Sequence, residues 1–143
     1  MLRAFPMILL AVAAYNLLVF GGGAAGHEVN ALLAQAISIK VVSGDLWKIT
    51  LGDGFVATAL LLLFIETVKA TRTNTREILN HGLSLLTFIG ALVEFIVLKG
   101  FGTSTFFFIT AMCLFDVVAG YTISIIAAKR DMEVAHVSHG YDD

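Results

Sequence analysis

Three acids, Glu66, Glu94 and Asp116, stand inside long apolar runs, where a charge needs a reason to be. Asp116 sits near the centre of TFFFITAMCLFDVVAGYTISIIAAK, residues 105–129. Counted from Phe106 at about 1.5 Å per helical residue, it lies roughly 15 Å into a hydrocarbon layer about 30 Å thick. An ionised, unpaired carboxylate there costs several kcal/mol, so the group must face other helices, meet water in a cavity or hold a proton. Two chemistries fit: a hydrogen-bonded packing role, or a step on a proton or cation path. The packing role is the more economical reading, and an interface with another subunit is a third.

Matching depths along the apolar runs predicts two clusters. Asn16, Thr87 and Asp116 form an intramembrane polar cluster at mid-depth, and Glu66, His81 and Ser124 form a second one near the inner end. Glu94 is a separate acid of the outer half. Glu66 with His81 reads best as a structural pair, because water is within reach one turn from the interface. Gly120, Ser124 and Ala128 recur every four residues, a small-xxx-small face on which a second helix can approach closely. His27, His136 and His139 fall in polar segments and read as solvated, and His136-x-x-His139 is too weak a spacing to predict a metal site. Cys113 reads as a small hydrophobe, and Phe106, Phe107 and Phe108 as packing and lipid-facing bulk.

No phosphate loop, dinucleotide fingerprint, nucleophile elbow or HExxH is present in the sequence. His81 is the single histidine within an apolar run, which leaves no paired histidines for haem. Neither an enzyme nor a bound cofactor is expected.

The elements that must hold these residues are membrane spans. Of 143 residues, 58% are hydrophobic and 14% charged, outside the range of a soluble domain. The net charge of −2 and the lack of a basic stripe argue against nucleic acid. One cysteine excludes a disulfide framework. Apolar runs at residues 4–25, 54–70, 78–98 and 105–128 predict an all-α membrane protein, an up-down bundle of four transmembrane helices in one domain. The first run also has the form of a signal peptide; a span is preferred because three more follow and because Asn16 stands where Asp116 needs a partner. Within the third run His81, Ser84, Thr87, Ala91 and Glu94 follow three- and four-residue spacings, so one side of that helix is polar or small and should face inward.

Residues 26–53 form the predicted periplasmic loop. VNALLAQA is helix-like, and AISIKVVSGDLWKITLGD alternates as two strands about Ser43-Gly44-Asp45, so a small hairpin between helices 1 and 2 is expected over residues 37–51, packed over the helix mouths. Trp47 reads as an interfacial anchor, with a lid or docking surface as the functional alternative. Asp53 is expected to cap the second span, and Asn74 or Thr75 the third. With both termini cytoplasmic, Arg3, Lys69, Arg72, Arg76, Lys129 and Arg130 lie inside and Lys40, Lys48 and Lys99 outside, in accord with the positive-inside rule. Residues 129–143 are then a cytoplasmic tail.

The stretches LGDGFVATALLLLFIETVKATRTNTREILNHGLS and LVEFIVLKGFGTSTFFFITAMCLFDVVAGYTISI resemble an uncharacterised group of small four-span proteobacterial inner-membrane proteins. The resemblance covers most of the chain after the first span. It implies a multi-pass protein of the bacterial inner membrane and carries no activity, cofactor or catalytic residue with it. The expected function is that of a structural or accessory subunit acting by helix–helix association, in the lipid bilayer, as a homo-oligomer or within a larger membrane complex. The alternative is a small oligomeric ion or proton channel or transporter using the intramembrane carboxylates.

Overall fold

The computed structural model describes residues 6–21, 28–70 and 77–139, with the side chains of 28, 77–81, 127 and 131–139 outside that description. In chain order the elements are α1 (Ile8–Gly21), α2 (Glu28–Leu33), β1 (Ala36–Lys40), β2 (Leu46–Thr50), α3 (Leu51–Ala70), α4 (Glu77–Val97) and α5 (Ser104–His139). The fold is mostly helical with one small sheet. Two helical stretches, Leu51–Ala70 and Ser104–Arg130, are long and apolar enough to cross a membrane; Ile8–Gly21 and Gly82–Val97 are shorter apolar helices. The expected caps Asn74 and Thr75 lie outside the described residues.

The long helix α5 is the spine, packing against α1, α3 and α4, while α1 also contacts α3. At about 1.5 Å per residue, the 36 residues of α5 exceed a hydrocarbon core of about 30 Å. Its backbone stays helical past Lys129 and Arg130 to His139, so most of the predicted tail is helix. The sequence there, KRDMEVAH, is rich in good helix formers and has no proline or glycine to stop the run. In α4, Ser84, Thr87 and Ala91 are buried while Leu86, Ile89, Val93 and Ile96 are exposed, so the small and polar side of the helix faces inward. Outward-facing leucine, isoleucine and phenylalanine cover α3, α4 and α5, as they would on a surface solvated by lipid.

The helix starts are specified locally. Helix α3 begins three residues earlier than its apolar run, because Thr50 and Asp53 form a reciprocal capping box. Thr50 N–H donates to Asp53 Oδ2 at 2.8 Å, and Asp53 N–H to Thr50 Oγ1 at 3.0 Å. The cap residue is therefore Thr50, and Asp53 lies in the first turn as its partner, a place the helix dipole also favours. Helix α5 is started by Thr103, whose Oγ1 accepts the N–H of Phe106 at 3.1 Å.

Between α1 and α3, Val29 and Leu33 of α2 are buried against the helices. Strands β1 and β2 pair antiparallel in the register Ala36↔Thr50 to Lys40↔Leu46. Gly44 has φ 96°, Gly44 N–H donates to Val41 O, and Val41 N–H donates to Asp45 O. The turn is thus centred on Val42-Ser43-Gly44, a three-residue loop whose last member must be left-handed, which suits glycine. The hairpin forms as the alternation predicts, but it does not cover the helix mouths: all five residues of β1 are exposed, and only Ile49 and Thr50 of β2 are half-buried. It is α2 that packs on the helices here, through the buried Val29 and Leu33.

Candidate functional site: acids that grip the first helix

The acids are organised around α1. Its inward side is Ile8, Ala11, Val12, Tyr15 and Val19, a three- and four-residue pattern fully buried in the core. At the helix start, Glu66 of α3 accepts the backbone N–H of Met7. An N-terminal N–H has no partner within its own helix, and a carboxylate is the group the dipole favours there. Glu66 itself is only 3% exposed, so this contact brings an acid into the interior against a helix end.

Toward the other end of α1, Asn16 Nδ2 donates to Glu94 Oε2 of α4 at 2.9 Å and to Val12 O of its own helix at 3.1 Å. Both amide protons of Asn16 are committed in these two bonds. The predicted mid-membrane cluster is therefore divided. Asn16 belongs to the level of Glu94, because α1 starts at Ile8 beside Glu66 and Asn16, its ninth residue of fourteen, already lies past the helix's midpoint. Thr87 gives its hydroxyl proton to Leu83 O at 2.9 Å, a bond within its own helix, which leaves it only acceptor capacity for any neighbour. Asp116 is 6% exposed on α5, one turn beyond the fully buried Cys113. Neither the Asn16 amide nor the Thr87 hydroxyl donates to it.

The inner cluster is described only in part. Glu66 is buried and Ser124 half-buried, while the His81 side chain lies outside the described residues, though its backbone belongs to α4. Along the small-residue face, Gly120 is buried, Ser124 half-buried and Ala128 exposed, so this strip runs from the interior onto the surface. Among the described residues no group of histidine, cysteine and carboxylate side chains is placed to hold a metal ion.

One residue central to this arrangement was not signalled by the sequence reading. Tyr15 is fully buried, and its ring packs on Phe106 at 4.6 Å, Phe101 at 5.6 Å and, edge-on, Phe55 at 5.9 Å between centroids. Its hydroxyl donates to Gly100 O at 3.1 Å and lies 2.6 Å from Thr103 Oγ1. With the Tyr15 proton on Gly100 O, the Thr103 proton completes the chain to Tyr15 Oη, and Thr103 still accepts from Phe106 N–H. The signal available was a hydroxyl in an apolar run, which must find a partner, together with a glycine-rich turn offering free carbonyls. Gly100 has φ 90°, and the turn it makes presents its carbonyl to Tyr15.

A short interhelix approach joins the starts of α3 and α5. A Cβ on Gly52 of α3 would lie 2.6 Å from Thr105 Oγ1 of α5, closer than such atoms can stand, so glycine sets the distance between these helix starts. No family model, curated protein or solved structure matches the chain.

Proposed function

We propose that the protein is a multi-pass structural or accessory subunit of a bacterial inner membrane, made of four spans with both termini cytoplasmic, which acts by helix–helix association. The observation that carries this reading is the use made of two intramembrane acids. Glu66 accepts from Met7 at one end of α1, and Glu94 accepts from Asn16 toward the other. Carboxylates engaged with donors on another helix serve cohesion, and polar bonds of this kind hold helices together in lipid. Tyr15 adds a further tie, between α1 and the α4–α5 turn, which supports reading α1 as part of the bundle. The small-residue strip that emerges at Ala128 offers a surface for a further helix, in a second copy or a partner subunit.

The second reading, a small oligomeric proton or cation channel, draws on the three acids Glu94, Asp116 and Glu66, which stand on three different helices of the interior. Mass measurement of the detergent-solubilised protein with co-purification separates the two. A stable complex with another membrane protein supports the accessory role; a lone homo-oligomer that carries a pH-driven flux in vesicles overturns it. Cysteines placed at Ser43 and Ser138 test the topology. They should label from opposite sides, with low background because the native Cys113 is buried.

A further inference from the structure

The hairpin β1–β2 has two unlike faces. Ile37 stands directly opposite Ile49, and Ile39 opposite Trp47; side chains of opposed residues share a face, so these four form one apolar patch. The other face carries Ser38 opposite Lys48 and Lys40 opposite Leu46. The apolar patch is open: Ile37 is 73% exposed and Trp47 58%. A two-stranded hairpin is at best marginally stable in water by itself, so an open apolar face on an ordered one calls for a second layer.

We propose that this layer is the bilayer surface itself, with Ile37, Ile39, Trp47 and Ile49 lying in the headgroup–acyl boundary and the long side chains of Lys40 and Lys48, rooted on the opposite face, bending past the strand edges to anionic headgroups. The inference rests on the reading of α3 as a membrane span. Strand β2 passes into α3 without a linker, and Leu51 N–H donates to Gln35 O at 2.8 Å, closing the base of the hairpin on the first residue of that helix. The base therefore sits where the span leaves the hydrocarbon, and strands of about 3.3 Å per residue are too short to carry the patch far from it. The composition favours lipid over a protein partner. Tryptophan is enriched at membrane interfaces and lysine snorkels to headgroups, whereas lysine is depleted from protein–protein interfaces. Within the hairpin and its turn, residues 36–50, two lysines stand against one acid, Asp45, whose carboxylate accepts the Ser43 hydroxyl at 2.9 Å; the balance suits an anionic surface.

Trp47 is the single tryptophan of the chain, so its fluorescence reports the patch directly. The intact protein is reconstituted into vesicles of mixed zwitterionic and anionic lipid, with iodide equilibrated on both sides or with lipids brominated at known chain depths. The expected result is weak quenching by iodide and strong quenching by bromines near the headgroup end. Ile37→Ser with Ile39→Ser, both at exposed positions that do not serve the core, should raise iodide access and shift emission to the red. Lys40→Glu with Lys48→Glu should weaken bromolipid quenching most in anionic vesicles. Free access of iodide to Trp47 in protein that floats with the vesicles overturns the proposal and leaves the span reading intact. Shielding from both quenchers also overturns it, since a second protein surface then covers the patch. Protein that does not float with vesicles overturns the span reading and this proposal together.

Discussion

Asn16 Nδ2 lies 2.9 Å from Glu94 Oε2, joining residues 78 positions apart across the α1–α4 contact. A glutamine at position 94 keeps an acceptor oxygen for this bond and removes the titratable proton. Glu94→Gln should therefore keep wild-type thermal stability in detergent. Glu94→Leu leaves the Asn16 amide unsatisfied and should cost about 1 kcal/mol, the scale of hydrogen bonds between membrane helices. The double variant Asn16→Leu with Glu94→Leu should lose less than the sum of the two single losses. Strict additivity would show that the pair does not hold α1 to α4.

Tyr15 should be the most costly single side chain to remove. Tyr15→Phe keeps the ring stack and loses the bonds to Gly100 O and Thr103 Oγ1, for an expected loss of about 1 kcal/mol. Tyr15→Ala empties a fully buried site and should cost roughly 3–5 kcal/mol. Thr103→Val should fall between them, because it removes both the Tyr15 partner and the α5 cap, the latter worth about 1 kcal/mol. Unfolding midpoints of the three variants in one detergent give the order directly.

The approach of Gly52 to Thr105 predicts a change of sign. Gly52→Ala alone drives its methyl against Thr105 Oγ1 and should destabilise by roughly 1–3 kcal/mol, despite alanine's better helix propensity. In a Thr105→Ala background the obstacle is gone, and the same substitution should become neutral or stabilising. Equal losses in both backgrounds would place the strain elsewhere.

For Asp116, asparagine retains size and hydrogen-bonding capacity, and leucine retains only size. A structural role predicts that Asp116→Asn unfolds at the wild-type temperature, while Asp116→Leu, at a site 6% exposed, loses about 1 kcal/mol. Normal folding of Asp116→Asn with loss of a pH-driven flux that the wild type supports would assign the residue to proton or cation movement instead.

What the sequence determined by itself was everything carried by local composition and period. Apolar run length marks the long helices, the three- and four-residue spacing of Ser84, Thr87, Ala91 and Glu94 marks the inward side of α4, and alternation about the turn residues Ser43-Gly44-Asp45 marks the hairpin. These signals survive because each depends on a few neighbouring residues and on whether a side chain meets an apolar surface. Tertiary structure alone decided the partners. Asn16 pairs with Glu94 because the level a residue reaches depends on where its helix starts, and α1 is set by the Glu66 contact at Met7, a relation between segments 59 positions apart. Tyr15 becomes a hub only when the glycine turn at Gly100 folds back to present a carbonyl. That α2 buries Val29 and Leu33 while the strands stay exposed was likewise decided by the fold, since alternation within a strand says which residues share a face and not what covers it.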